Sequence, residues 1–147
     1  MLDERQFCTF YLDDLLFGVP VLSVQEVMRH QEMTRVPLAH PVVRGLINLR
    51  GQIVMAVDLR ERLGLPERSD QEPSMNVVVR TKDGPVSLLV DKIGDVLGVD
   101  ESTLEEPPET LDKVARALIS GVFKLEGQLL IALDCDATLN FDSQRTA

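Results

Sequence analysis

Residues 45 to 65 and 121 to 141 of this chain are two copies of one pattern, and a duplicated unit of this kind leaves few folds open. Laid over each other without a gap, the copies keep Gly45/Gly121, Leu49/Leu125, Gly51/Gly127, Gln52/Gln128, Ala56/Ala132, Asp58/Asp134 and Leu63/Leu139. In the first copy the apolar runs Leu46 to Leu49 and Ile53 to Val57 flank Arg50-Gly51, the pattern of a tight β-hairpin whose glycine takes a positive φ. Asp58 then fits a helix N-cap, and Leu59 to Leu63 make one or two helical turns ended by Gly64 and Pro66. Each copy therefore reads as strand, turn, strand, short helix. What both copies share is what the fold needs. What differs is open to specialisation, and the turns differ in sign: Arg50 in the first, Glu126 in the second. An exposed tip whose charge drifts freely fits this difference as well as a recognition role does.

A second, weaker correspondence precedes the hairpins. Phe17, Val19, Val21, Val24, Glu26, Val27 and Met28 align with Val86, Leu88, Val90, Ile93, Asp95, Val96 and Leu97. In chain order, Phe7 to Leu12 and Leu15 to Val21 read as strands around an Asp13-Asp14 turn, and Ser23 to Met28 fits either a strand or a turn of helix. Met33 to Pro37 reads as extended, and Pro41 is expected to open a helical turn at Val42 to Arg44. Polar residues 67 to 74 form the seam, after which Met75 to Thr81 and Val86 to Val90 repeat the strand pair. The acidic stretch Asp100 to Glu109 reads as a loop, and Leu111 to Leu118 has helical spacing with Thr110 as its cap. Residues 142–147 are a polar tail. Two halves of about five short strands each, with no long crossover helices, point to paired small β-barrels rather than an α/β sheet. The expected organisation is one domain over residues 1–147, with approximate lobes 7–66 and 75–141 between which terminal strands can be exchanged.

Composition and charge narrow the function. With 44% hydrophobic and 27% charged residues the chain is expected to be globular, and a net charge of −9 argues against nucleic acid and anionic membrane surfaces as partners. No apolar run is long enough to cross a bilayer and no hydrophobic signal core opens the chain, so a cytoplasmic location and no membrane insertion are expected. Cys8 and Cys135 lie in strand-like contexts without a CxxC and read as reduced, half-buried thiols. Residues 29–62 hold six arginines, at 29, 35, 44, 50, 60 and 62, against Glu32, Asp58 and Glu61. Arginine suits interfaces, which points to a protein partner near the first hairpin.

The search for chemistry is mostly negative. His30 and His40 have no metal-ligand spacing, no phosphate loop or nucleophile motif occurs, and Asp134-Cys135-Asp136 lacks the glycine and distal glutamate of a calcium loop. Asp13-Asp14 and Glu105-Glu106 read as solvated charge. No catalytic residue, metal or cofactor is expected.

Residues 43 to 60, Val-Arg-Gly-Leu-Ile-Asn-Leu-Arg-Gly-Gln-Ile-Val-Met-Ala-Val-Asp-Leu-Arg, closely resemble the signature of CheW-type chemotaxis coupling proteins. The resemblance extends through Phe17 to Val27, Thr34 to Pro37, Val90 to Val96 and Leu129 to Asp134. Met55-Ala56 stands where many relatives carry a proline-containing pair. The resemblance implies a mainly β fold of two SH3-like five-stranded lobes. It also implies a non-enzymatic adaptor that bridges the cytoplasmic tip of a chemoreceptor, of the methyl-accepting type, and the regulatory domain of a CheA-type histidine kinase. Carried over by position, Val24, Glu26, Val27 and Arg50 correspond to family positions associated with receptor binding in a groove between lobes. Val24 and Val27 have counterparts in Ile93 and Val96, so burial in the core fits them equally well. A small-molecule-binding or self-associating β-barrel is the alternative.

Overall fold

The structure is a computed structural model, and it describes residues 4–67, 73–109 and 111–141. The first half runs β1 (Glu4–Leu12), β2 (Leu15–Pro20), a single 3₁₀ turn, β3 (Val24–Met28), β4 (Val43–Leu49), β5 (Gln52–Asp58) and the short helix α1 (Leu59–Leu63). The second half runs β6 (Met75–Thr81), β7 (Gly84–Val90), β8 (Lys92–Asp100), β9 (Leu104–Glu105), α2 (Lys113–Arg116), β10 (Ile119–Leu125), β11 (Gln128–Leu133) and α3 (Cys135–Leu139). The fold is mainly β in two lobes, as the repeat implies.

The hydrogen-bond ladders cross between the halves. One sheet has the order β3-β6-β7-β5-β4 and the other β8-β1-β2-β11-β10-β9. In the repeat β6 and β7 are the copies of β1 and β2, so each sheet combines the first hairpin of one half with the later strands of the other. The registers repeat as well. The parallel pair Phe17↔Ile131 of β2 and β11 has its copy in Val86↔Met55 of β7 and β5. The ladder irregularities at Cys8/Phe10 and Val24/Glu26, and at Val43/Gly45 and Ile119/Gly121, also fall at corresponding places. Apart from β9 the two sheets share one strand order and register, and they pack against each other. Between them Phe10, Phe17, Val57, Val77, Val79, Leu88, Ile131 and Leu133 form one shared core. Burial of Phe17 alone is worth about 2–3 kcal/mol.

Several local expectations are corrected. The acidic stretch 100–109 is not wholly loop: it contains a 3₁₀ turn and β9, the sixth strand of its sheet, paired through Val122↔Glu105. The first half has the same contact reduced to one bridge, Thr34↔Leu46. Val42 to Arg44 is not helical; residues 41 and 42 form a turn closed by Val43 N–H donating to His40 O at 2.8 Å, and β4 starts at Val43. The helical stretch after Leu111 is a single turn, capped by Asp112, whose carboxylate accepts from Ala115 N–H at 3.0 Å. Thr110 and the tail 142–147 lie outside the described residues, as do residues 68–72 of the seam. Cys8 sits in β1, but Cys135 opens a helix rather than lying in a strand; both are half-buried and free.

Candidate functional site

The segment Ser23 to Met28, open between strand and helix, is strand from Val24 onwards, and β3 is an edge of the five-stranded sheet. Its pairing with β6 settles which way each side chain faces, because directly paired residues share a face. Val24 pairs with Val79 and Val27 with Val77, both members of the shared core. Glu26 pairs with Val78 and Met28 with Asn76, on the opposite face, where Val78 packs with Leu49 and Val54. Val24 is half-buried and packs against the core, whereas Val27 is 42% exposed at its margin. Their copies behave alike: Ile93 packs against the core and Val96 is exposed. Arg80 holds the start of β3 by donating to Leu22 O and Val24 O at 3.2 and 2.9 Å. The Leu22 side chain is 87% exposed.

At the opposite edge, the β4–β5 turn places both Arg50 (φ 53°) and Gly51 (φ 87°) in the left-handed region. A non-glycine residue there is strained by roughly 1 kcal/mol. Asn48 supports the turn, its Oδ1 accepting from Gly51 N–H at 2.8 Å. In the second copy Gly127 keeps the positive φ and Glu126 does not share it, so the tips differ in backbone as well as in charge. From this turn the Arg50 guanidinium reaches Glu26 in a fork, Nη1 donating to Oε2 and Nη2 to Oε1, each at 2.6 Å. The hydrogen bonds from Arg50 hold the Glu26 carboxyl below the usual glutamate range, and Glu26 raises the Arg50 pKa in return. Because β3 and β4 are the two edges of their sheet, this pair clasps a barrel that the backbone ladder leaves open. The equivalent residues in the other lobe, Asp95 and Glu126, are both acidic and cannot pair.

Of the four residues singled out by position, the structure joins Glu26 and Arg50 directly. Val24 and Val27 lie on the opposite face of the same strand. What this edge offers is recognition chemistry: an open strand edge, an exposed valine, and a charged fork that is 70% exposed on its arginine side.

The arginine-rich stretch divides: Arg29, Arg35, Arg44 and Arg50 are exposed, whereas Arg60 is buried and Arg62 half-buried in contacts within the molecule. Arg60 is 7% exposed and donates to Asp91 and Asp13. Asp13 is therefore not simple solvated charge. Arg62 donates to the Ala137 and Thr138 carbonyls at 2.9 and 2.6 Å, and Arg44 Nε donates to Asp58 at 2.8 Å. Asp58 and Asp134 both cap helices, accepting from Glu61 N–H at 3.3 Å and Ala137 N–H at 3.0 Å. Position in the chain did not single out Leu22 or Ile53, which is 60% exposed beside the turn. Ile53 lies on the same face of β5 as Met55 and Val57, which pack in the shared core, and is exposed because it sits at the start of the strand beside the turn, opposite Asn48. Among the described residues no helix is long and apolar enough to cross a membrane, and no three His, Cys, Asp or Glu side chains converge as metal ligands.

Comparison with known proteins gives a consistent result. The family model described as CheW-like domain matches residues 6–142. The chain is 33% identical over 143 residues to the chemotaxis protein CheW of Bacillus subtilis, covering 97% of this chain and 92% of that protein. It is likewise 33% identical over 135 residues to the chemotaxis protein CheW of Thermotoga maritima, covering 92% and 87%. Among solved structures, the scaffolding protein TtCheW from Thermoanaerobacter tengcongensis superposes with a TM-score of 0.81 at 27% identity, over 95% of this chain and 94% of that one.

Proposed function

The chain belongs to the CheW-like domain family, and from that premise we propose that it is a cytoplasmic, non-enzymatic adaptor that couples the cytoplasmic tip of a chemoreceptor to the regulatory domain of a CheA-type histidine kinase. The observation that carries this reading is the collinear match, end to end, to proteins named for chemotaxis and to a structure titled as a scaffolding protein. The β3 edge is the receptor-facing site in this reading. An apolar stripe of a receptor helix would cover Val27 and the exposed margin of Val24, and the Glu26–Arg50 fork would set its register by exchanging hydrogen bonds with polar residues beside that stripe. Exposed forks of this kind contribute little to folding, so their charges remain available to a partner.

The test is binding of the full chain to a receptor tip fragment and to a CheA regulatory domain from the same cell. Arg50→Glu imitates the second copy and sets two carboxylates against each other across the clasp. The variant is expected to fold like the parent and to lose receptor binding by tenfold or more, on the scale of about 1.4 kcal/mol per decade. Equal capture of both partners by parent and variant would remove the fork from the site, and capture of neither partner by the parent would overturn the adaptor reading.

A further inference from the structure

The two hairpin tips of the repeat close alike but aim their side chains differently. Both are two-residue turns in one register, Leu49↔Gln52 in the first copy and Leu125↔Gln128 in the second, and both carry glycine at positive φ, Gly51 at 87° and Gly127 at 84°. They part at the residue before the glycine. Arg50 has φ 53°, so the first tip has the φ signs of a type I′ turn, whereas Glu126 stays outside the left-handed region and the second tip has those of type II. Between φ values of about +60° and about −60°, the Cα–Cβ bond swings by roughly 120° about N–Cα. The side chain of residue 50 therefore leaves its turn in another direction than its copy does.

Between residues 45 and 57 the copies keep a residue or exchange one apolar residue for another, except at position 50 and at position 48, where Asn48 has Lys124 as its copy. The Oδ1 atom of Asn48 accepts from Gly51 N–H at 2.8 Å. That N–H belongs to the peptide joining Arg50 to Gly51, so the bond holds the plane that follows the Arg50 Cα. Lys124 has donors and no acceptor, and cannot make the bond. A left-handed residue other than glycine costs about as much as one neutral hydrogen bond is worth net, so this bond is of the size that decides between the two turns. The second hairpin closes in the same register without it, so the hairpin itself does not need it. We infer that Asn48 is a positioning residue for recognition: through Gly51 it holds Arg50 left-handed and so aims the guanidinium at Glu26, presenting the fork to the receptor helix as one fixed pair of charges. This inference deepens the adaptor reading and rests on it. In the fork Arg50 Nη1 and Nη2 each lie 2.6 Å from a Glu26 carboxylate oxygen, and a bidentate pair of that kind depends on where the arginine starts. A fork held before the partner arrives also loses less freedom on binding than an untethered arginine side chain.

The test compares the full chain with Asn48→Ala and Asn48→Asp, by NMR and by binding of the receptor tip fragment. Asn48 is exposed, and the second hairpin closes without an acceptor at this place, so Asn48→Ala is expected to fold with an unchanged spectrum away from the turn. Arg50 is expected to lose the strong intraresidue amide–Hα NOE of a left-handed residue. The Glu26 carboxyl, held low by Arg50 in the parent, is expected to rise toward the ordinary glutamate range, and receptor binding to weaken roughly fivefold. Asn48→Asp keeps an oxygen acceptor at that place and is expected to retain both the NOE and the low Glu26 midpoint. These two NMR readouts follow the aim of one side chain and would not move if Asn48 merely braced the hairpin. Arg50 still left-handed in Asn48→Ala, or an unmoved Glu26 midpoint, would overturn the positioning role. A lost fork with receptor binding as tight as in the parent would overturn its part in recognition. Capture of no receptor fragment by the parent is instead the failure of the adaptor reading, and the NMR readouts then still decide whether Asn48 aims Arg50.

Discussion

Arg50 and Arg60 are ten positions apart and make the same kind of bond with opposite consequences. Arg60 donates from Nε and Nη2 to Asp91 at 3.0 and 2.6 Å and from Nη1 to Pro66 O at 2.5 Å, and its pKa is driven upward chiefly by the Asp91 hydrogen bond. The side chain of Asp91 is only 10% exposed. Arg60→Met keeps the apolar stem but removes the three side-chain donations to Asp91 and Asp13 and the one to Pro66 O, and is expected to cost roughly 3 kcal/mol, seen in urea unfolding as a lower midpoint at unchanged slope. Arg50→Gln is expected to leave that midpoint where it is, because the pair it breaks is exposed. Its effect belongs to titration. Glu26 has a folded pKa depressed by Arg50, so the pair's contribution is complete above the unfolded glutamate value of about 4.3 and is lost as pH falls through the lower folded value. Carboxyl-carbon NMR is therefore expected to place the Glu26 midpoint below the ordinary range in the parent and to return it upward in Arg50→Gln. The same midpoint in both would mean that the clasp does not form in solution.

α1 and α3 span five residues each, too short to persist alone, so their ends carry a large share of their stability. Asp134 does one task, accepting from Ala137 N–H, and Asp134→Ala is expected to cost about 1 kcal/mol. Asp58 caps α1 and also receives Arg44, so Asp58→Ala is expected to cost more, about 1.5 kcal/mol. Chemical denaturation of the two variants side by side checks the order, and the reverse order would mean that Arg44 contributes nothing. These caps, the turn glycines and Gly64 (φ 74°) were legible in the sequence because their chemistry is local: donor and acceptor lie within three residues. The exchange of Asp13 from solvated charge to ion-pair partner was not legible, since Arg60 lies 47 positions away. Nor was β9, whose two residues have no strand pattern of their own and are strand only because β10 presents an edge to them. The site divides along the same line. Glu26 and Arg50 stood out by position and by sign, but that they face each other depends on a sheet curling until its edges meet.

At the scale of the whole molecule, the exchanged hairpins make the two halves interdependent. β1 and β2 find their neighbours in β8 and β11, while β6 and β7 find theirs in β3 and β5, so neither half contains a complete sheet. The shared core draws Phe10, Phe17 and Val57 from one half and Val79, Leu88 and Ile131 from the other. Pairings such as Cys8↔Val96 close loops of most of the chain, which makes folding slow and leaves strand edges open until both halves are present. A chain cut between residues 67 and 73 tests this. The two fragments are expected to stay together as one species in size-exclusion chromatography and to unfold in a single transition. Each fragment made alone is expected to lack dispersed amide resonances, because its hairpin strands have lost their ladder partners and its apolar faces their cover. Mixing the fragments is then expected to restore the dispersed spectrum. A fragment that folded cooperatively alone would mean that its sheet can be completed from within one half, and the repeat would describe two autonomous barrels rather than one interlocked pair.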